Sequence, residues 1–174
     1  VLLKMNESDR VISEEEKPVI AEKIALGAIK YWILRQSTGK DIIFDKEKAL
    51  SLEGDSGPYL QYSHTRALSV LRKAKEQGIE IDLSGGDTPS DNDLIRKMYR
   101  FPEIIEESLK LQAPQQLVTY LTDLASSFNH FYAVTPILTK NDPSSGKRVA
   151  LVAAFGTVMR NGLFVLGIGI PERM

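Results

Sequence analysis

The stretch Gly54-Asp55-Ser56-Gly57-Pro58-Tyr59-Leu60-Gln61-Tyr62-Ser63-His64-Thr65-Arg66 reads as a loop running into a helix. Gly57 suits a cap, and Pro58 suits the first helical position, where a missing N–H costs nothing. Beyond it, Tyr59, Tyr62, Arg66, Ser69 and Lys73 recur at helical spacing and share one face. Two tyrosines, an arginine and a lysine on one face offer flat rings and cations, which is what unpaired bases and phosphates require. A second stripe, Leu60, His64, Ala67, Leu71 and Ala74, is expected to face a core. The helix should run from Pro58 to Gln77 and stop at Gly78 in a left-handed cap.

Outward from this helix nearly every segment also reads as helix. Toward the N-terminus, Ser13 and Glu16 have the spacing of a capping box, although Pro18 offers an alternative start. Acidic residues at Glu14-Glu15-Glu16 favour a helix N-terminus through its dipole and only superficially resemble a catalytic carboxylate cluster. Ile20, Ile24, Ala28 and Tyr31 then follow one side to about Arg35, and Gly39 lies past the end. Residues 41–44 look extended, and Asp45 suits the cap of a brief helix to Leu52.

Toward the C-terminus, residues 79–89 with Gly85-Gly86 read as a surface linker, and Ser90 as the cap of a helix through Met98 and Tyr99. Phe101-Pro102 opens another helix reaching Leu111. Pro114 opens the most regular one, with Leu117, Leu121, Leu124, Phe128 and Phe131 at amphipathic spacing. Residues 141–146 read as a turn. A last helix over 147–166 carries Val152, Phe155, Met159, Leu163 and Leu166, and ends at Gly167. The expected fold is an all-α antiparallel helix bundle with short connections.

Composition narrows the function classes. The chain has 174 residues, 43% of them hydrophobic, which suits one domain with a substantial core. No run approaches the length of a membrane span, and no signal peptide opens the chain. There is no cysteine and there are only two histidines, far apart, so disulfides and cysteine-ligated metals are excluded and no metal site is expected. A cytoplasmic setting fits. The net charge of −1 argues against a strong non-specific nucleic-acid binder. Its distribution is uneven: residues 60–75 hold four basic side chains and no acidic one, whereas residues 76–107 hold nine acidic against three basic. Such segregation makes either a local positive stripe or simply a pair of solvated helix faces.

The order of residues in 54–66 resembles the opening of the anticodon-binding domain of arginyl-tRNA synthetases. Upstream, Ala25-Leu26-Gly27-Ala28-Ile29-Lys30-Tyr31 and Ile43-Phe44-Asp45 resemble that family's preceding helix and link. Downstream, Asn129-His130-Phe131-Tyr132, Arg160-Asn161-Gly162-Leu163 and Leu166-Gly167-Ile168-Gly169-Ile170-Pro171-Glu172-Arg173-Met174 resemble its last two helices and its C-terminus. Ser63 and Thr65, flanking His64, are polar where the family commonly has alanine. The resemblance implies the helical bundle of the class I arginyl, cysteinyl and methionyl synthetase type. Residues 54–174 would be the anticodon-binding domain, and residues 1–53 a segment that follows the catalytic domain and packs on the bundle.

The ATP-binding His-x-Gly-His signature of class I enzymes is absent, as is the second signature loop. The chain is therefore expected to begin just after a catalytic domain, to run to the natural end, and to carry no catalytic residue. The resemblance implies that the full-length enzyme is an arginine–tRNA ligase using ATP and Mg, with activation dependent on bound tRNA, and that this fragment alone is inactive. Its partners would be the anticodon stem-loop of an arginine-specific tRNA and the catalytic domain of the same polypeptide, with no membrane.

Carried over by position, Tyr62 and Arg66 would lie at the anticodon loop. Tyr132 would wall the pocket of the middle base, a cytosine, and Met174 with its terminal carboxylate would close it. Tyr59, Arg72, Lys73 and Lys75 are candidate RNA backbone contacts. Residue chemistry alone leaves structural alternatives open: a boundary tyrosine at Tyr62, an acid-paired Arg66, a half-buried scaffold ring at Tyr132, a frayed Met174. His64, on the core stripe, reads as a structural histidine, while the roles of Asn129 and His130 stay open. The rival function is a helical protein–protein interaction module without nucleic acid.

Overall fold

The structure, a computed structural model, describes residues 13–84 and 92–174. Among the described residues seven helices follow in order: α1 (Glu16–Leu34), α2 (Lys46–Ala49), α3 (Gly57–Glu76), α4 (Asn92–Tyr99), α5 (Phe101–Lys110), α6 (Pro114–Val134) and α7 (Ser145–Val165). No strand occurs among the described residues. The all-α class read from the sequence is the one observed.

Local chemistry sets the helix ends. Ser56, not Gly57, caps α3: its hydroxyl accepts from Tyr59 N–H at 3.0 Å and satisfies one of the donors that a helix start leaves open. Gly57 is already helical, and its role is steric. Asp45 caps α2 by accepting from the N–H groups of Glu47 and Lys48, but that helix ends at Ala49, short of Leu52. Ser13 both donates to the Glu16 carboxylate and accepts from Glu16 N–H. Pro18 is tolerated in the first turn of α1 because no N–H there has an intrahelical partner to lose. Gly78 sits at φ +67° after α3, as expected. α7 starts two residues before Lys147, because Asp142 accepts from Ser144 N–H at 2.9 Å and turns the chain early. The expected linker glycines Gly85-Gly86 and the Ser90 cap lie outside the described residues.

Three pairings give the antiparallel arrangement. Between α1 and α3, Gly57 lies against the Gly27 backbone, and Gln61 reaches the Lys23 carbonyl. Between α3 and α7, Ala67 lies against Gly156, while residues beyond the end of α3, Glu80 and Asp82, meet Gly146 at the start of α7. Between α6 and α7, the rings of Phe128 and Phe155 stack 3.8 Å apart, and Leu121 fills the space over Gly162. The core collects Leu60, Leu121, Leu124, Phe128, Phe155, Met159 and Leu163, all fully buried. Leu71 of the expected stripe is only partly buried, though packed against this core. α7 corrects one reading from composition: its 21 residues are long and apolar enough to cross a membrane, and half of the apolar window is buried within the bundle. In this fold it is a core helix.

The two hydroxyls flanking His64 do not loosen α3. Ser63 donates to Tyr59 C=O at 2.8 Å and Thr65 to Tyr62 C=O at 3.0 Å, so both satisfy themselves within the helix. His64 is buried against α7, and burial, followed by the charge of Arg160, pulls its pKa down to about 4. It is a neutral core histidine.

Candidate nucleic-acid interface

Arg66 is the centre of the exposed face of α3. Its guanidinium carbon lies 4.7 Å from the centroid of the Tyr62 ring and 4.8 Å from that of Tyr132, one turn back on its own helix and across on α6. Contacts of this length are cation–π interactions. The guanidinium also donates to Tyr62 OH at 3.2 Å and to Asn129 Oδ1. Asn129 in turn donates to Ser63 Oγ at 2.8 Å. Five side chains from two helices are thus locked into one arrangement before any ligand arrives, which lowers the ordering cost of binding.

A cavity of about 660 Å³ opens beside this cluster. Tyr62, Arg66, Ser69, Arg72 and Lys73 line it from α3, Tyr132 from α6, Ile137 and Leu138 from the loop after α6, and Arg173 and Met174 from the tail. Four cations border it, and none of the described residues lining it is acidic. It offers an aromatic wall, an aliphatic floor and a positive rim. A second, smaller cavity of about 380 Å³ lies on the other side of Tyr62 and Arg66, bordered by Leu52, Glu53, Tyr59 and Asn129.

The loop that supplies Ile137 and Leu138 is held from beneath by Arg148. This buried arginine donates to Ile137 C=O at 3.3 Å and to Ser145 Oγ at 3.0 Å, and pairs with Asp142. The Arg148 hydrogen bond, more than any other contact, keeps the Asp142 carboxyl below the usual carboxylate range.

Tyr62, Arg66, Tyr132 and Met174 border one cavity, although 112 positions separate the first from the last in sequence. Arg72 and Lys73 are exposed at its rim. Tyr59 borders the smaller cavity, and Lys75, exposed in the last turn of α3, lines neither. His130 is exposed on α6.

A family model described as the DALR anticodon binding domain matches residues 60–174. The chain belongs to this family. Similar curated proteins include the arginine–tRNA ligases of Thermococcus kodakarensis, 43% identical over 94% of this chain, and of Pyrococcus furiosus, 37% identical over 98%. The chain spans 27% and 28% of their respective lengths. Among solved structures, Thermus thermophilus arginyl-tRNA synthetase superimposes with a TM-score of 0.81 at 35% identity, covering 95% of this chain and 28% of that one.

Sequence reasoning left out several parts of the DALR domain's cavity. Asn129 was open between loop contact and helix packing; its place three residues before Tyr132 puts both on one face of α6, and that spacing was the available signal. Ile137, Leu138 and Arg173 gave none, because loop and tail residues carry no periodicity to reveal which way they point.

Proposed function

We propose that this domain reads the anticodon loop of tRNA for an arginine–tRNA ligase. The observation that carries the reading is the single cavity shared by Tyr62, Arg66, Tyr132 and Met174 under a rim of four cations. One unpaired base enters it and stacks on the Tyr132 ring, which is 42% exposed and so free to receive a second face. Arg66 holds that ring from the other side and, with Arg72 and Lys73, faces the phosphates that flank the base. The resemblance to arginyl-tRNA synthetases makes the base the middle anticodon cytosine and the partner an arginine-specific tRNA. Tyr59 and Lys75 extend the same reading to backbone contacts beyond the cavity.

Attachment of arginine belongs to the larger part of the relatives that lies outside this chain. ATP and Mg would act there. Among the described residues no group of three or more histidine, cysteine or acidic side chains is placed to hold a metal ion, and no site here is assigned to either cofactor. The proposed location is the cytoplasm.

Titration of the chain with anticodon stem-loops carrying each of the four middle bases tests the proposal. The expected result is tighter binding of the cytosine loop, weakening with salt through counterion release. Equal affinity for all four loops, or affinity flat with salt, overturns it. The chain alone should show no arginine-dependent pyrophosphate exchange; exchange at a synthetase-like rate would place a catalytic centre within it.

A further inference from the structure

The tail after α7 is held by more than its own packing. Gly167, at φ +65°, reverses the chain, and Ile168 N–H closes back on Leu163 C=O at 2.8 Å. Ile168 and Pro171 are buried, and Met174 arrives at the cavity. Two side chains from other elements grasp the tail backbone. Lys30 of α1 donates to Gly167 C=O. Gln61 of α3 donates through Nε2 to Gly169 C=O at 2.6 Å and to Lys23 C=O on α1 at 3.0 Å.

Gln61 is unusual for its position. It is fully buried, and its Oε1 has no partner among the described residues. Burying an amide with one unsatisfied atom is costly, so a leucine there would serve packing better. What the amide provides and a leucine cannot is a donor for two carbonyls on two different elements. The surroundings are shaped to admit it. A Cβ on Gly27 would lie 2.6 Å from Gln61 Nε2, so the glycine leaves the amide its space. A Cβ on Gly57 would lie 2.3 Å from Gly27 oxygen, so α1 and α3 meet backbone to backbone around it. Gln61 also immediately precedes Tyr62, so one turn of α3 presents a ring to the cavity on one side and grips the tail on the other.

We propose that Gln61 is a positioning residue for base selection: its amide fixes the tail at Gly169, five residues before Met174, so that Met174 closes the cavity, and Gly27 preserves that grip. The base-selection part rests on the anticodon reading above; the tail-fixing part does not.

The experiment uses the whole chain with Gln61→Met, which keeps the length and flexibility of the side chain and removes the donor, and Gly27→Ala, which displaces the amide without altering it. Hydrogen exchange of backbone amides at 168–173 reads the tail directly. An increase of about tenfold in Gln61→Met, the equivalent of one lost hydrogen bond, with α6 and α7 core amides unchanged, supports tail fixing; unchanged tail exchange overturns it, whatever RNA does. Stem-loops with cytosine, uracil or an abasic middle position then read selection. Gln61→Met and removal of Met174 alone should each lower the cytosine-over-uracil ratio about fivefold or more, leave the abasic affinity within twofold, and together lose no more than either alone. Retained cytosine preference in Gln61→Met, or losses that add, overturns the role in selection. A wild-type chain with no base preference overturns the anticodon reading itself, which the exchange measurement tells apart from a failure of tail fixing.

Discussion

Removing the Tyr132 ring should separate base reading from general RNA affinity. In the free protein the ring is 42% exposed, packed at 6.4 Å against Phe128 and at 4.8 Å from the Arg66 guanidinium. Full burial of a large apolar side chain is worth about 1.5–3 kcal/mol, so Tyr132→Ala, with little over half that burial to lose, should destabilise the fold by about 1–2 kcal/mol. The cation–π contact adds about 0.5–1 kcal/mol at so exposed a site. Binding loses a stacking face, about 1–3 kcal/mol, so the Kd for the cytosine stem-loop should rise about 5- to 150-fold. The loss should be concentrated on the preferred base, since loops that do not fill the cavity never had the stacking to lose. Tyr132→Phe keeps the ring and the cation–π contact and should bind within about twofold of wild type. Fluorescence anisotropy with labelled stem-loops of all four middle bases measures this, with circular dichroism to verify the fold. Equal weakening of all four loops by Tyr132→Ala would refute base stacking at this ring. Equal damage from Tyr132→Phe would refute it too, and would assign the effect to the hydroxyl.

Other expectations follow from the same geometry. Lys73→Ala should weaken all stem-loops similarly and make the salt dependence shallower by about 0.7 in the log–log slope, the value for one single-strand phosphate contact; an unchanged slope would leave Lys73 a solvated side chain. His64 has a pKa near 4 against the ordinary 6.5, so its contribution to stability is complete above pH 6.5 and declines as pH falls toward 4. The decline between pH 7 and pH 5 should be about 2 kcal/mol, visible as a falling urea midpoint that His64→Gln flattens. Gly57→Ala drives a methyl into the Gly27 carbonyl, and thermal denaturation should show a loss of about 3 kcal/mol. Asp142→Ala leaves the buried Arg148 guanidinium without its carboxylate and should lower the thermal midpoint, with loosening of the 136–142 loop detectable by hydrogen exchange.

The helices were legible because their signals are local. Pro114 and the Leu117–Phe131 spacing mark α6, Asp45 marks α2, and Gly78 and Gly167 mark the ends of α3 and α7. Capping, φ preference and amphipathic period all act within a few residues, so the chain itself specifies them. The cap at Ser56 was misassigned to Gly57 because the glycine's reason for being there is 30 positions away, in the Gly27 backbone. The positive, aromatic face of α3 was legible for the same local reason, and Tyr132 and Met174 entered only through resemblance to a family. That these residues border one cavity depends on long-range packing: α6 and α7 fold back on each other through Phe128 and Phe155, and the tail is then drawn across α3 by Gln61 and Lys30. Sequence alone therefore determined which segments are helical, which faces are apolar and which side chains carry ring or charge. The tertiary structure alone decided that Arg66 is clamped between two tyrosines and tied to Asn129, that Lys75 stands apart from the cavity, and that a buried amide holds the tail. These contacts join residues tens of positions apart, and no periodicity or propensity within one segment encodes which distant carbonyl or ring a side chain will meet.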